Sequence, residues 1–406
     1  MPQRVVITGM GAVSALGMGA DPLWQGMVEA RSGIVPLTSP DPESEIRMKV
    51  GATVQGFDPA QHFAAGRIAL LDRVSQFALV AAREAVSQAA IEFARDGLGA
   101  RTAVVVGTGI GGELSRDEQS RRIYRDRAER THPMTIVRIM PNAPASNISM
   151  EFGLTGPTFA VASACASSNH ALAQAALMVR HGLADCAVAG GVEACFSLGA
   201  IRSWEAMRVV ADDTCRPFSA QRRGLVLGEG AGMFVLESLD HARRRNATIL
   251  AELAGFGMCA DAGDIVAPSP EGAANAMRLA MADAGLAPAQ VGYINAHGTG
   301  TAANDPCESF AIRQVFKADA DRLAVSSTKG VHGHALGAAG ALELIAALGA
   351  LRENIIPPTA NFLGPDPACD LDYVPNIARQ LRVNAVLSNS FAFGGLNAVL
   401  ALTRFS

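Results

Sequence analysis

The 406-residue sequence predicts an α/β fold in which buried sheets are covered by helices. Three observations predict it. Short runs of β-type residues alternate with Ala-rich helical stretches along the whole chain. Hydrophobic residues make up 49% and charged residues only 18%, against about 25% charged in an average soluble protein, so much of the chain can be buried. Two helical stretches, around 166–178 and 335–350, are apolar on nearly every side, which requires burial between layers.

The elements follow in chain order. "RVVITG" (4–9) reads as the first strand, rich in β-branched residues. "LLDRVSQFALVAAREAVSQA" (70–89) has helical periodicity, and "RTAVVVG" (101–107) returns to a β-run. "TFAVAS" (158–163), "DCAVAGG" (185–191), "GMFVLES" (232–238) and "TILAELAGFGM" (248–258) are the next strands. "EGAANAMRLAMADAG" (271–285) is a helix that stops on a glycine. "GYINA" (292–296), "RLAVSS" (322–327), the helix "AGALELIAALGALREN" (339–354) and the strand "NAVLSNS" (384–390) complete the pattern.

A faint repeat is superimposed on it. "VASACASSNHALAQAA" (161–176) and "VSSTKGVHGHALGAAG" (325–340) align without a gap, with Cys165 opposite Lys329 and His170 opposite His334. Two similar halves are therefore expected, about 1–245 and 246–406, each placing a helix N-terminus near a shared centre. No Pro/Gly/Ser-rich linker divides them, so residues 1–406 are expected to pack as one domain.

Composition excludes several function classes. A net charge of -4 and 5% aromatic residues argue against nucleic-acid binding. No apolar stretch reaches the roughly 20 residues that cross a bilayer, so no membrane insertion is expected. The N-terminus lacks the order of a signal peptide, and seven irregularly spaced cysteines suit a reducing cytoplasm. No CxxC or His/Cys cluster suggests a structural metal. Gly107, Gly109 and Gly112 satisfy a dinucleotide fingerprint, but a charged helix follows where an acidic strand end is needed. Tight turns and close backbone packing explain those glycines. "GLVLGEGAG" (224–232) lacks the Lys-Ser/Thr of a phosphate loop and reads as strand-turn architecture.

Four segments carry chemistry. Cys165 alone would ordinarily be a small buried filler. Here it ends an apolar run, a helix begins just after it, and its neighbours Ala164, Ala166, Ser167 and Ser168 are small. A helix N-terminus stabilises a thiolate through its unpaired N–H groups. His297 ends a second strand in "NAHGTGTAANDPCE" (295–308), with the Thr299 and Thr301 hydroxyls nearby. Lys329 and His334 lie between a strand and a small-residue helix; His332 reads as peripheral and His170 as structural. In "SNSFAFGGLNAVL" (388–400), Phe391 and Phe393 precede a Gly pair, a turn that can aim N–H groups at an oxyanion while a phenyl ring covers the nucleophile.

Together with "VVITGMGAVSALG", "AGGVEA" and "CRPFS", these motifs run nearly from end to end. The chain resembles the β-ketoacyl-[acyl-carrier-protein] synthases of the thiolase superfamily, in the elongating Cys-His-His type. The resemblance implies a thiolase-like fold, with duplicated βαβαβαββ halves in a five-layer αβαβα sandwich. It implies that Cys165 carries the acyl group and that His297 and His334 stabilise the enolate formed from malonyl-carrier protein. The N–H groups of Cys165 and Phe393 would hold the tetrahedral oxyanion. Lys329 would organise the site, catalytically or structurally, with Glu343, Asp305 and Glu308 in support. Thr299 and Thr301 match residues that bind the pantetheine arm. Ile110 and Trp204 match the acyl-pocket lining, and the bulk of both implies a narrower pocket end than in the housekeeping long-chain enzyme.

No cofactor is implied beyond the 4′-phosphopantetheine of the carrier protein. No catalytic metal is implied either, although residues matching Asn295, Glu343, Ser388 and Asn389 can surround a buried monovalent cation. Acyl carrier protein is the implied partner, docking on Arg67, Arg125, Arg127, Arg130 and Arg208. A homodimer is inherited from the family, with a heterodimer as the alternative. Ala392 replaces a glycine of the family's gate, which stiffens it. The departures are similar to specialised synthases for nodulation-factor acyl chains, aryl polyenes or polyketides; primary fatty-acid elongation stays open. Two rivals are a non-catalytic chain-length-factor partner, against which Cys165, His297 and His334 argue together, and a papain-type hydrolase, which needs neither a second His nor the Gly-rich gate.

Overall fold

In the computed structural model, which describes residues 2–405, each half of the chain repeats one strand order. The first half contributes β1 (Val5–Ser14), β2 (Thr102–Gly107), β3 (Thr158–Val161), β4 (Cys186–Glu193) and β5 (Gly230–Ser238). The second contributes β6 (Ala251–Ala260), β7 (Tyr293–Asn295), β8 (Ala324–Ser326), β9 (Ala385–Ala392) and β10 (Leu396–Thr403). Their spatial orders are β3-β2-β4-β5-β1 and β8-β7-β9-β10-β6. In each half the second strand runs parallel to the third and fourth, and the last two pairings are antiparallel. β1 and β6 share only two residue pairs, Val6–Glu252 and Ile7–Ala251, so the path behaves as two five-stranded sheets hinged edge to edge.

Helices α1 (Arg73–Ala89) and α2 (Ala143–Phe152) cover the outer face of the first sheet. Helices α3 (Ser167–Arg180) and α6 (Ala339–Glu353) lie between the sheets, while α4 (Pro270–Ala284) and α5 (Asn304–Phe316) cover the second sheet from outside. This is the five-layer sandwich implied by the sequence motifs. The period-2 alternation of strands decides which face meets which layer. Ala103 and Val105 pack into the central helices, whereas Val104 and Val106 pack towards α1. In β9, Val386 faces the centre and Leu387 faces α4 and α5. Every residue of α6 from Ala339 to Leu351 is buried, as a helix with no polar face must be.

Local chemistry sets the helix ends. Asp72 caps α1 by accepting from Val74 N at 3.0 Å. Ser269 caps α4, which has Pro270 at its first position and ends on left-handed Gly285. Strand β10 was not expected from the sequence, because the Gly pair at 394–395 reads there only as a gate. It is also a hairpin turn, with Ala392 pairing Leu396.

The ungapped repeat is out of register on its helical side. Ala164 (φ 48) and Leu336 (φ 46) each begin a short 3₁₀ turn, Ala164–Ala166 and Leu336–Ala338, that leads into α3 at Ser167 and α6 at Ala339. Cys165 therefore corresponds to Gly337 rather than Lys329. His170 lies inside α3, whereas His334 precedes its helix. The shared "HAL" is coincidental; the second half has an inserted turn, Lys329–His332, before its helix.

Glu237 in β5 is fully buried and accepts from Thr8, from His241 at 2.5 Å and from both sides of the Arg245 guanidinium. Burial alone would raise its pKa, but the bonds from Arg245, His241 and Thr8 outweigh that and hold it at about 2. A depressed carboxylate stabilises the fold above its unfolded value, and that contribution is lost as pH falls towards the folded value. Glu237→Gln is expected to cost about 3 kcal/mol at pH 7, with the gap to wild type closing by about 1 kcal/mol at pH 4. Urea unfolding at the two pH values checks this; a gap that does not change with pH would contradict it.

Candidate active site

The central helices bring the predicted residues together where their N-terminal turns face one another. Gly107 permits the approach on one side, since a Cβ there would lie 2.4 Å from the main chain of Ser167. Gly112 likewise packs against Arg138 O, so the glycines of the apparent nucleotide fingerprint serve close packing.

Cys165 is buried, one residue beyond the left-handed Ala164, at a sharp strand-to-helix turn. Its Sγ lies 3.0 Å from His334 Nε2. The His297 ring stands edge-on to that of His334, with centroids 5.4 Å apart, and Phe391 packs edge-on to His297 at 6.0 Å. Cys165, His297 and His334 line one cleft with Thr299, Thr301, Phe391 and Phe393. The two threonine hydroxyls lie 2.9 Å apart. Trp204 also lines the cleft and stacks on Phe393 at 6.2 Å. Ile110 does not reach the cleft wall; it packs on the apolar cluster that contains Cys165.

Electrostatics keep the site neutral. Burial pushes the Cys165 thiol up to about 12; the Lys329 charge opposes this without reversing it, so the resting sulfur is a thiol. The helix-end stabilisation expected from the sequence is thus outweighed by desolvation. Burial, reinforced by Lys329, holds both His297 and His334 well below the ordinary imidazole range. Each ring leaves Nδ1 without a partner. A bare lone pair there costs less than a buried N–H, so we assign the proton of each ring to Nε2.

Lys329 does not line the cleft. Fully buried, it donates from Nζ to His297 O at 2.5 Å and pairs with Glu343. Burial raises the Glu343 carboxyl against the pull of that ammonium. Asp305 and Glu308, grouped with Lys329 on sequence grounds, grip the main chain of the His297 loop, and the Lys329 charge also opposes the rise that burial imposes on the Glu308 carboxyl. Glu308 accepts from His297 N and Gly298 N, both at 2.8 Å, while Asp305 accepts from Gly300 N at 3.1 Å and Phe218 N at 2.7 Å. Burial lifts Asp305 to about 6.

Sequence reasoning missed Glu193 at the end of β4. Fully buried, it accepts from Gly109 N (2.7 Å), Gly337 N (2.9 Å), Ile110 N (3.2 Å) and the Thr108 hydroxyl (3.0 Å). It pins the turn before α6 to the loop after β2. The available signal was an acid inside the apolar run "CAVAGGVEACF".

The candidate cation residues divide. Asn295 and Ser388 are register partners on β7 and β9, on the face towards Glu343 in α6. Asn295 Oδ1, Ser388 Oγ and Glu343 Oε2 are buried without partners, a set of hard oxygens that fits a monovalent cation. Asn389 falls on the opposite face of β9, where its amide donates to Glu308 Oε1 at 3.1 Å.

The expected carrier dock is partly neutralised. Arg67 pairs with Glu151, and Arg125 with Asp41 and Glu43. Arg127, Arg130 and Arg208 are exposed and form no ion pair among the described residues.

Comparison with known proteins agrees with this geometry. The family models described as "Beta-ketoacyl synthase, N-terminal domain" and "Beta-ketoacyl synthase, C-terminal domain" match residues 2–242 and 250–363. The chain is 48% identical over 404 residues to "Nodulation protein E" of Rhizobium sp. (strain N33), covering all of both chains. It is 40% identical over 410 residues to "3-oxoacyl-[acyl-carrier-protein] synthase 2" of Coxiella burnetii, covering 99% of each. The solved structure of "The ishigamide ketosynthase/chain length factor" superposes over the full length of both chains with a TM-score of 0.94 at 35% identity.

Proposed function

The chain belongs to the β-ketoacyl synthase family, and from that premise we propose that its Cys165–His334–His297 cleft performs an elongating, decarboxylative condensation between an acyl group on Cys165 and malonyl-carrier protein. The observation that carries this reading is the contact of Cys165 Sγ with His334 Nε2, with a second neutral imidazole facing the same cleft.

The chemistry follows from the groups present. In the loading step, Cys165 forms a new C–S bond to the acyl carbonyl as the carrier's C–S bond breaks, and the thiol proton leaves on the pantetheine sulfur. The N–H groups of Cys165 and Phe393 hold the oxyanion. Malonyl-carrier protein then loses CO2, and the electron pair moves towards the thioester oxygen. Neutral Nε2–H donors on His297 and His334 stabilise that enolate more than the ground-state carbonyl, which is the differential binding catalysis requires. The carbanion attacks the acyl carbonyl, sulfur departs from it, and a proton taken up restores the Cys165 thiol. Lys329 positions His297 through its carbonyl, and its charge disfavours imidazolium. A monovalent cation held by Asn295, Ser388 and Glu343 would supply only charge balance behind this assembly.

Acyl carrier protein is the partner, with Arg127, Arg130 and Arg208 as the unpaired cations that would meet its acidic surface; Arg208 adjoins Val209, which lines the cleft. The half-buried edge strand β3 has a free side, which supports pairing with a second copy of the chain. No helix is long and apolar enough to cross a membrane among the described residues, and a cytoplasmic location suits the carrier-bound substrates. The higher identity to the nodulation relative than to the synthase 2 relative supports a specialised acyl chain over primary elongation.

Incubation with acyl- and malonyl-carrier protein is expected to release CO2, give a 3-oxoacyl product and place the acyl mass on the peptide containing Cys165. No acylation at Cys165 would overturn the proposal, and acylation followed only by hydrolysis would favour a hydrolase.

A further inference from the structure

The helix Leu198–Met207 carries Trp204 into the cleft, and its next residue makes an unusual contact. The Glu205 side chain is only 8% exposed, although it lies near the C-terminal end of the helix, where a carboxylate gains nothing from the dipole. Its Oε1 accepts from two successive main-chain groups of a distant segment, Arg47 N and Met48 N, the latter at 2.9 Å. Residues 44–49 have no helix or strand of their own, and regular pairing resumes only at Val50. Lys49 O accepts from Leu37 N at 2.8 Å, so main-chain pairing holds the end of this stretch, and Glu205 is a side-chain clamp on Arg47 and Met48 just before it.

The clamped segment bears on the nucleophile. Met48 is 3% exposed and belongs to the apolar cluster that contains Cys165, Ile201 and Leu225, with Ile46, Ile110 and Trp204 packed against it. Elsewhere the cleft is lined by His297, Thr299 and Thr301 together with Phe391, Phe393 and Val266, and on the side of this cluster by Trp204, Val209 and Leu225. An acyl chain on Cys165 that is buried against Trp204, Val209 and Leu225 gains with each methylene, so the residues behind them help to set how many methylenes fit there. Resting on the synthase reading above, we propose that Met48 backs the cleft wall made by Trp204 and Leu225 and that Glu205 is a positioning residue that fixes this backing relative to Trp204, so that the pair governs acyl-chain length.

Both N–H groups converge on a single oxygen, which gives the test its resolution. Gln supplies an equivalent Oε1, whereas Ala supplies none. Acyl-chain preference is measured as the ratio of kcat/KM for carrier-bound chains differing by two methylenes. Malonyl-carrier decarboxylation and thermal melting are followed alongside. Glu205→Ala and Met48→Ala are each expected to shift the ratio towards the longer chain by about fourfold per methylene accommodated, with decarboxylation unchanged. Glu205→Gln should retain the wild-type profile. An unchanged ratio in Met48→Ala overturns the proposal even if Glu205→Ala fails to fold. So does a Glu205→Ala enzyme that loses activity equally at all lengths, since that marks general support of the fold. A wild-type protein that acylates no cysteine overturns the synthase reading itself, a result distinguishable from either.

Discussion

Cys165→Ala is expected to yield no acyl-enzyme and to lower condensation on the order of 10³-fold or more, while CO2 release from malonyl-carrier protein continues within about tenfold of wild type. The separation follows from where the groups stand. Sγ is the atom that would accept the acyl chain, and the elements that stabilise an enolate are the two imidazoles. They are held by other parts of the chain: His297 by Glu308, and His334 by main-chain bonds to Val226 and Gly228. Ala at 165 removes about one sulfur's volume and leaves those supports intact, so the carbanion still forms and is quenched by a proton. Intact-protein mass spectrometry reads acylation, and carbonate trapping reads decarboxylation. A parallel collapse of both would mean that the sulfur is needed for enolate stabilisation, contrary to the assignment of roles made here.

Two of these residues were legible in the sequence for one physical reason, and His334 was read from its place between a strand and a small-residue helix. Cys165 and His297 each follow a β-run and adjoin small residues, and a strand tip beside small residues is where a side chain can meet a substrate. What could not be read depends on contacts distant along the chain. Glu193 looks like any acid until Gly337, 144 residues away, donates to it at 2.9 Å. Asp305 and Glu308 read as electrostatic support for Lys329, whose charge does act on Glu308, but the letters do not show that both carboxylates also accept from N–H groups of the His297 loop. Asn389 shares a motif with Ser388, yet the pleat sends neighbouring side chains to opposite faces. The repeat was visible, but its register was set by an inserted turn that letter matching cannot weigh. The ion pairs of Arg67 and Arg125 were hidden for a similar reason: Glu151, Asp41 and Glu43 are remote in sequence and adjacent in space.

His297→Ala and His334→Ala are each expected to lower malonyl decarboxylation by about 10²–10³-fold, the loss typical of one donor in an oxyanion site. They should differ in the loading step. His334 touches Sγ, so its removal should also slow acylation of Cys165; His297 makes no hydrogen bond to that sulfur, and its removal should leave acylation close to wild type. The pH profile distinguishes donor from base. Burial and Lys329 keep both rings neutral well below the ordinary imidazole range, so the Nε2–H donors remain in the productive form as pH falls through 6.5. Any acid limb between pH 8 and pH 6 should come from the buried carboxyls of Glu343 and Asp305, which burial lifts to about 7 and about 6, and should persist in His297→Asn. A limb near 6.5 that His297→Asn abolishes would show instead that an imidazole cycles its proton in the rate-limiting step. Asn at 297 restores an N–H without a titratable group. Partial recovery in His297→Asn with no new pH dependence is the outcome a donor predicts, because a base requires a lone pair that can be protonated and a donor requires only the hydrogen.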